Sequence, residues 1–302
     1  MVRVGVSPWW ASVTIVVMGA LIWLTPSGVY LLGFLGVVIL SHEAGHLVVA
    51  RASGMKPTAF FWGFGPEIVA VEHRGCRYGL KMLFLGGYVK LEGMTPSSEL
   101  PPGFAEAGAY RAAGPWKRLA TILAGPGVNL VMAAGAFAAA ALIEGRSPGG
   151  AVLAGVDDVW FVFAATADAL WVWVSNIGSY LAAVVDSSGT TTAPVRFMSP
   201  VAQAEVSRVA VEGGVVVSLR WFGVLSCAVG AVNLLPLPPL DGSHAVVAGA
   251  EGVIARVRPG HARRSGRAWL DVRRLVPLAY VTLTVLVFLS ATALIMDLRT
   301  VS

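Results

Sequence analysis

The sequence predicts an all-α polytopic membrane protein of about five spans, with a small membrane-associated β-sheet in its first basic loop. Three observations carry that expectation. Hydrophobic residues make up 56% of the 302 and charged residues only 13%, about half the share of a soluble domain. The apolar residues gather into runs near the ~20 residues that cross a bilayer. The Lys and Arg behind the net charge of +5 fall between those runs, where they report topology; no nucleic-acid partner is expected.

The spans are read in order. Residues 9–24 form a short accessory span; only Arg3 precedes it as a charge, and no small-residue cleavage site marks it for removal. Residues 29–52 form the second span and residues 117–143, rich in Ala and Gly, the third. Residues 215–256 make a span broken at Pro236, Pro238 and Pro239, which cannot continue a helix. Residues 275–297 are the last span. Cys76 and Cys227 are too few for a disulfide framework or a Cys-based zinc cluster.

Residues 151–185 are apolar but carry Asp157, Asp158 and Asp168. Charge counting decides their reading. Residues 51–118 hold nine Lys/Arg and residues 256–274 hold seven, whereas residues 144–213 hold three, with seven Asp/Glu. The two basic segments share the inner side only if 151–185 does not cross alone, so it is expected to lie in or on the membrane, or to dip and return.

Within the first basic loop, residues 60–92 read as an interfacial β-sheet. The run Phe60-Phe61-Trp62-Gly63-Phe64-Gly65-Pro66 leads into three short β-like stretches, residues 67–72, 78–84 and 87–91, separated by glycines and polar breaks.

The chemistry begins at His42-Glu43-Ala44-Gly45-His46, inside the second span. Two histidines four apart lie on one helix face, so both imidazoles reach a single Zn²⁺. Glu43, beside the first of them, is placed to act on a water at the metal. Three ionisable groups in five residues of a membrane helix are costly and point to function. Catalytic zinc takes three protein ligands and leaves a position open for water. Asp241, in Asn233-Leu234-Leu235-Pro236-Leu237-Pro238-Pro239-Leu240-Asp241-Gly242, supplies the third from the broken span. Broken helix within a membrane is tolerated where it lines a cavity or is buried in protein. His244, one turn further on, is read as supporting the site or lying at the surface, because a fourth ligand would close the open position.

Taken in order, these pieces resemble the site-2 protease family of intramembrane zinc metalloproteases. Three smaller stretches match as well: Gly86-Gly87-Tyr88-Val89-Lys90, Ala124-Gly125-Pro126-Gly127-Val128-Asn129, and Ser199-Pro200-Val201 at the place of a Gly-Pro-Val. The resemblance covers nearly all of the chain from residue 29 onward. It implies Zn²⁺ as cofactor, His42, His46 and Asp241 as its ligands, Glu43 as general base, and Asn233 and Asn129 as residues that hold the substrate backbone. Helix–helix hydrogen bonding is the structural alternative for the two asparagines.

The partners implied are the lipid bilayer and a single-span membrane protein substrate, cut within or near its transmembrane helix in regulated intramembrane proteolysis. The location implied is a bacterial cell membrane, multi-pass, with the active site toward the cytoplasmic side. Relatives often carry PDZ domains between the third and fourth spans; the ~70 residues here are too few for one, so a member lacking a PDZ domain is expected. The alternatives are a catalytically inactive relative acting as a scaffold, or an ion or zinc transporter. Glu43 separates them, because only hydrolysis needs a base beside the first ligand.

Overall fold

The computed structural model describes residues 27–94, 98–186, 197–257 and 276–301. The expected accessory span, 9–24, lies outside the described residues. The described elements are α1 (Gly28–Ala52), β1 (Pro57–His73), β2 (Cys76–Leu91), two 3₁₀ turns (Glu106–Gly108 and Tyr110–Ala112), α2 (Pro115–Ile143), α3 (Pro148–Ser175), α4 (Ile177–Val185), α5 (Pro200–Glu212), α6 (Val215–Asn233), α7 (Asp241–Val257) and α8 (Val276–Val301).

Five of the described helices are long and apolar enough to cross a membrane: α1, α2, α3, α6 and, within α8, Pro277–Asp297. The helical class with a small sheet therefore holds. The ambiguous apolar segment is one continuous helix of 28 residues, α3, followed by the short α4. Its length is that of a span. Asp158, one of the three acids within 151–185, lies 3.8 Å from Arg220, which also bonds Glu144 at 2.7 Å. Trp160, Phe161 and Trp171 on α3 are each about 70% exposed, as suits side chains whose solvent is lipid.

The described residues fall into two compact units. The first holds Leu35–Asn129 and the described part of Asn233–Ala279; the second holds Leu130–Val232 and Tyr280–Ser302 with the residues before Leu35.

In the first unit, β1 and β2 pair as an antiparallel sheet from His73↔Cys76 to Pro57↔Leu91. The turn sits at Arg74 and Gly75, both at positive φ (50° and 72°), which suits a tight hairpin connection. The strands are longer than the three stretches expected, because β2 continues through Gly86 and Gly87 and β1 bends rather than ends at Gly63. Gly63 has φ 95°, and a Cβ there would lie 2.7 Å from the Lys81 carbonyl oxygen. Before the bend, residues 59–62 have partners on two sides, 77–80 and 87–90. Trp62 then rests on α1, its indole where a Cβ on Gly36 would be.

A cluster of Ala50, Met55, Leu91, Tyr110 and Ile122 joins the sheet to α1 and α2, with Ala245 of α7 packed on it. Burial pushes the Tyr110 phenol above its ordinary range, so it stays neutral beside Arg118. Arg118 of α2 and Glu251 of α7 form an ion pair at 2.5 Å, only 6% and 3% exposed. Removing one partner of a buried pair strands the other charge and costs ~3–5 kcal/mol. Glu251→Ala is therefore expected to lower unfolding stability in detergent by about that much, and Arg118→Met/Glu251→Leu to restore most of it. Equal losses in the single and double variants would show that shape, not charge, holds α2 to α7.

The second unit packs on small residues. Ala133, Phe137 and Cys227 form its core, with Val159, Val162 and Phe163 against them. Gly223 gives its place to the Phe137 ring and Gly155 to the Ala134 carbonyl, the close approach that membrane helices use. Tyr180 bonds Thr292 at 2.7 Å and shares an aromatic cluster with Trp173 and Phe197. Ser199, whose side chain caps α5, is bonded through its backbone N–H to Asp297.

Candidate metal centre

Every residue that builds the site belongs to the first unit. α1 presents His42 and His46 one turn apart, their rings edge-on with centroids 4.8 Å apart. Both are buried. Asp241 is the first residue of α7, and the proline loop before it is compact. The Leu237 N–H donates to the Leu235 carbonyl, and Ser243 donates through both its N–H and its hydroxyl to the Leu240 carbonyl. Gly242 makes this possible: a Cβ there would collide with the carbonyl oxygens of Leu234 and Leu235. The carboxylate of Asp241 is thereby brought over the two imidazoles.

Three ligand atoms converge. His42 Nε2 lies 2.9 Å from Asp241 Oδ2, His46 Nε2 lies 3.3 Å from the same oxygen, and the two Nε2 atoms are 3.1 Å apart. Zinc bonds to N and O of about 2.0–2.2 Å set tetrahedral donors roughly 3.3 Å apart, so the three edges fit one ion. Among the described residues no other group of His, Cys, Asp and Glu brings its ligand atoms together in this way. His244 is half-buried on α7 and is not one of the three.

The back of the site is α2. The Thr121 carbonyl oxygen lies 2.8 Å from His46 Nδ1, and the Asn129 side-chain amide lies 3.1 Å from His42 Nδ1. Between them Gly125 faces the ligands directly: a Cβ on it would meet His46 Nε2 and, at 2.7 Å, His42 Nε2. Gly45, inside the motif, returns the fit, since a Cβ there would lie 2.6 Å from the Ala124 carbonyl oxygen. The two glycines let α1 and α2 close until ring nitrogens reach the opposite backbone.

The front is β2. The Val89 backbone N–H faces the Glu43 carboxylate, and a Cβ on Gly87 would lie 3.0 Å from Glu43 Cγ. Of the sequence-derived site residues, the structure thus brings together His42, Glu43, His46, Asp241 and Asn129. Asn129 is fully buried against His42. Asn233 ends α6, half-buried, just before the proline loop. The sequence reading missed Gly87, Thr121 and Gly125 as parts of the site. Gly87 and Gly125 stood within the matched motifs, but Thr121 acts through its backbone and carries no signature.

Two His and one carboxylate on two helices, with a glutamate beside the first of them, make a candidate zinc centre of the catalytic type. The chain belongs to peptidase family M50, whose family model matches residues 30–268. It is 40% identical over 109 residues to the zinc metalloprotease Rip1 of Mycobacterium tuberculosis, a stretch covering 36% of this chain and 27% of that protein. It is 37% identical over 131 residues to a putative zinc metalloprotease of Brucella suis, covering 40% and 35%. A putative zinc metalloprotease of Clostridium acetobutylicum is 36% identical over 110 residues, covering 36% and 31%. The chain thus spans about a quarter to a third of the length of these curated relatives.

Proposed function

We propose that this protein is an intramembrane zinc metalloendopeptidase that hydrolyses a peptide bond within or near the transmembrane helix of a single-span membrane protein, as a step of regulated intramembrane proteolysis. The observation that carries the reading is the convergence of His42, His46 and Asp241 with Glu43 next to the first ligand. Bound there, zinc supplies a Lewis acid that lowers the pKa of water and polarises the scissile carbonyl. The protein does the rest. Glu43 takes the proton of the attacking water and returns it to the leaving amine. The Val89 backbone N–H faces that carboxylate from β2.

A peptide bond inside a helix is sheltered by its own hydrogen bonds, so the substrate must unwind locally to reach the site. Its freed backbone groups then need protein partners, since the bilayer offers none. The edge of β2 from Gly87 to Leu91, beside Glu43, and the amide of Asn233 are the groups to which we assign that work. The basic segments 51–118 and 256–274 support a site toward the cytoplasmic face, and the bacterial sources of the relatives support a bacterial cell membrane.

Purified protein is expected to hold one zinc per chain and to cleave a single-span substrate in proteoliposomes. Asp241→Ala should release the metal as fully as His42→Ala or His46→Ala does. Full zinc retention in Asp241→Ala would place the third ligand elsewhere and overturn the reading.

A further inference from the structure

We infer that Asn129 is a positioning residue for the metal: its side-chain oxygen holds the hydrogen of His42 on Nδ1 and so presents the Nε2 lone pair to zinc. The inference rests on the reading of His42, His46 and Asp241 as zinc ligands and goes beyond it, because Asn129 touches neither metal nor substrate in this role.

Three facts on α2 carry it. Thr121, Gly125 and Asn129 are four residues apart, so they share one stripe of the helix. The stripe faces the two imidazoles: the Thr121 carbonyl at His46 Nδ1, Gly125 against both Nε2 atoms, and Asn129 at His42 Nδ1, 3.1 Å away. Asn129 is also fully buried, with 0% of its surface exposed. Its contact with His42 is therefore made in the dry interior, where an imidazole orientation is set by its neighbours and not by water.

The chemistry follows from tautomer counting. A neutral imidazole has one N–H and one lone pair. His42 Nε2 points at His46 and Asp241, so a ligand role uses the Nε2 lone pair and leaves the hydrogen on Nδ1. Nδ1 can then only donate. For His46 the acceptor is the Thr121 carbonyl, which can do nothing else. For His42 the acceptor must be the amide oxygen of Asn129. The atom placed nearest is Nδ2, but oxygen and nitrogen exchange by a half-turn of the amide, and the hydrogen-bond network decides between them. Both ligand histidines are then fixed from one helix, one by a backbone oxygen and one by a side-chain oxygen, the arrangement that orients metal-bound imidazoles and raises their basicity.

The test uses the full chain in detergent, with zinc itself as the probe. Zinc affinity is read by competition with a chromogenic chelator, and the ligand field by the visible spectrum of the Co²⁺-substituted protein. Asn129→Leu keeps the volume and removes the acceptor; it should weaken zinc about 10–100-fold and alter the Co²⁺ spectrum. Asn129→Asp keeps an acceptor and has no N–H to offer a bare Nδ1; it should bind zinc at least as tightly as the wild type. Wild-type zinc affinity in Asn129→Leu, with cleavage impaired through KM alone, would return Asn129 to the substrate and overturn the inference. If Asn129→Leu does not fold, Asn129→Asp decides alone: zinc held as in the wild type supports the assignment, and a loss of tenfold or more overturns it. A wild-type protein without zinc would instead sink the proposed function, so the two failures are distinguishable.

Discussion

Glu43→Gln should keep its zinc and its fold and lose nearly all cleavage, by about 10²–10⁴-fold. The substitution changes one atom of a side chain that is not a ligand. His42, His46 and Asp241 converge without it, so metal content should remain at one zinc per chain. The amide still fills the space next to Gly87, whose absent side chain leaves room for the Glu43 stem. What disappears is basicity: a neutral amide cannot accept a proton from the attacking water, and general base catalysis of this kind contributes about 10²–10⁴-fold. Metal analysis and single-turnover cleavage of a proteoliposome substrate read the two halves of the result separately. Residual activity above a few per cent would mean that another group takes the proton, and the mechanism proposed for Glu43 would fail. Loss of zinc in the same variant would mean that Glu43 is a ligand.

A second large effect is expected at a residue with no side chain. Gly125→Ala should abolish zinc binding at ordinary concentrations, with an affinity loss above ~100-fold, or about 2.7 kcal/mol. A methyl group there would fall on His46 Nε2 and lie 2.7 Å from His42 Nε2, in the space that the ligand nitrogens occupy. The helix cannot easily retreat, because Gly45 of α1 is pressed against the Ala124 carbonyl from the other side. Gly127→Ala is the control: it lies on the same helix, and a Cβ there meets nothing within 4 Å. Alanine favours a helix over glycine by roughly 0.5–1 kcal/mol, so both variants gain the same intrinsic preference and only one loses the metal. Wild-type zinc affinity in Gly125→Ala would show that α2 has room to move and that the ligand pocket is not shaped by this glycine.

Whatever depends on short-range spacing is legible in the chain before any fold is known. Two histidines four residues apart share a helix face wherever the helix lies, so the ligand pair was legible without a fold. The prolines before Asp241 announced a broken helix, and the apolar runs announced the membrane. The β-sheet was legible in place but not in form, since Gly86, which reads as a break between two stretches, lies inside one continuous strand, β2. The segment 151–185 was legible as apolar but not in form: it is a helix of 28 residues followed by a short one, and Arg220, far along the chain, lies next to Glu144 and Asp158.

Which groups lie behind the two histidines emerges only when the helices pack. Position 129 reads from the sequence as a substrate contact or a helix–helix bond; packing puts its amide on His42 Nδ1. Thr121 acts through a carbonyl that every residue type carries, and Val89 through a backbone N–H, so no residue identity could mark them. Arg118 and Glu251 are two charges among many until α2 and α7 bury them together. The difference is physical. A metal ligand requires a particular side chain and leaves its signature in the chain, whereas the groups that orient it are chosen by proximity, and proximity between distant residues exists only once the helices have packed.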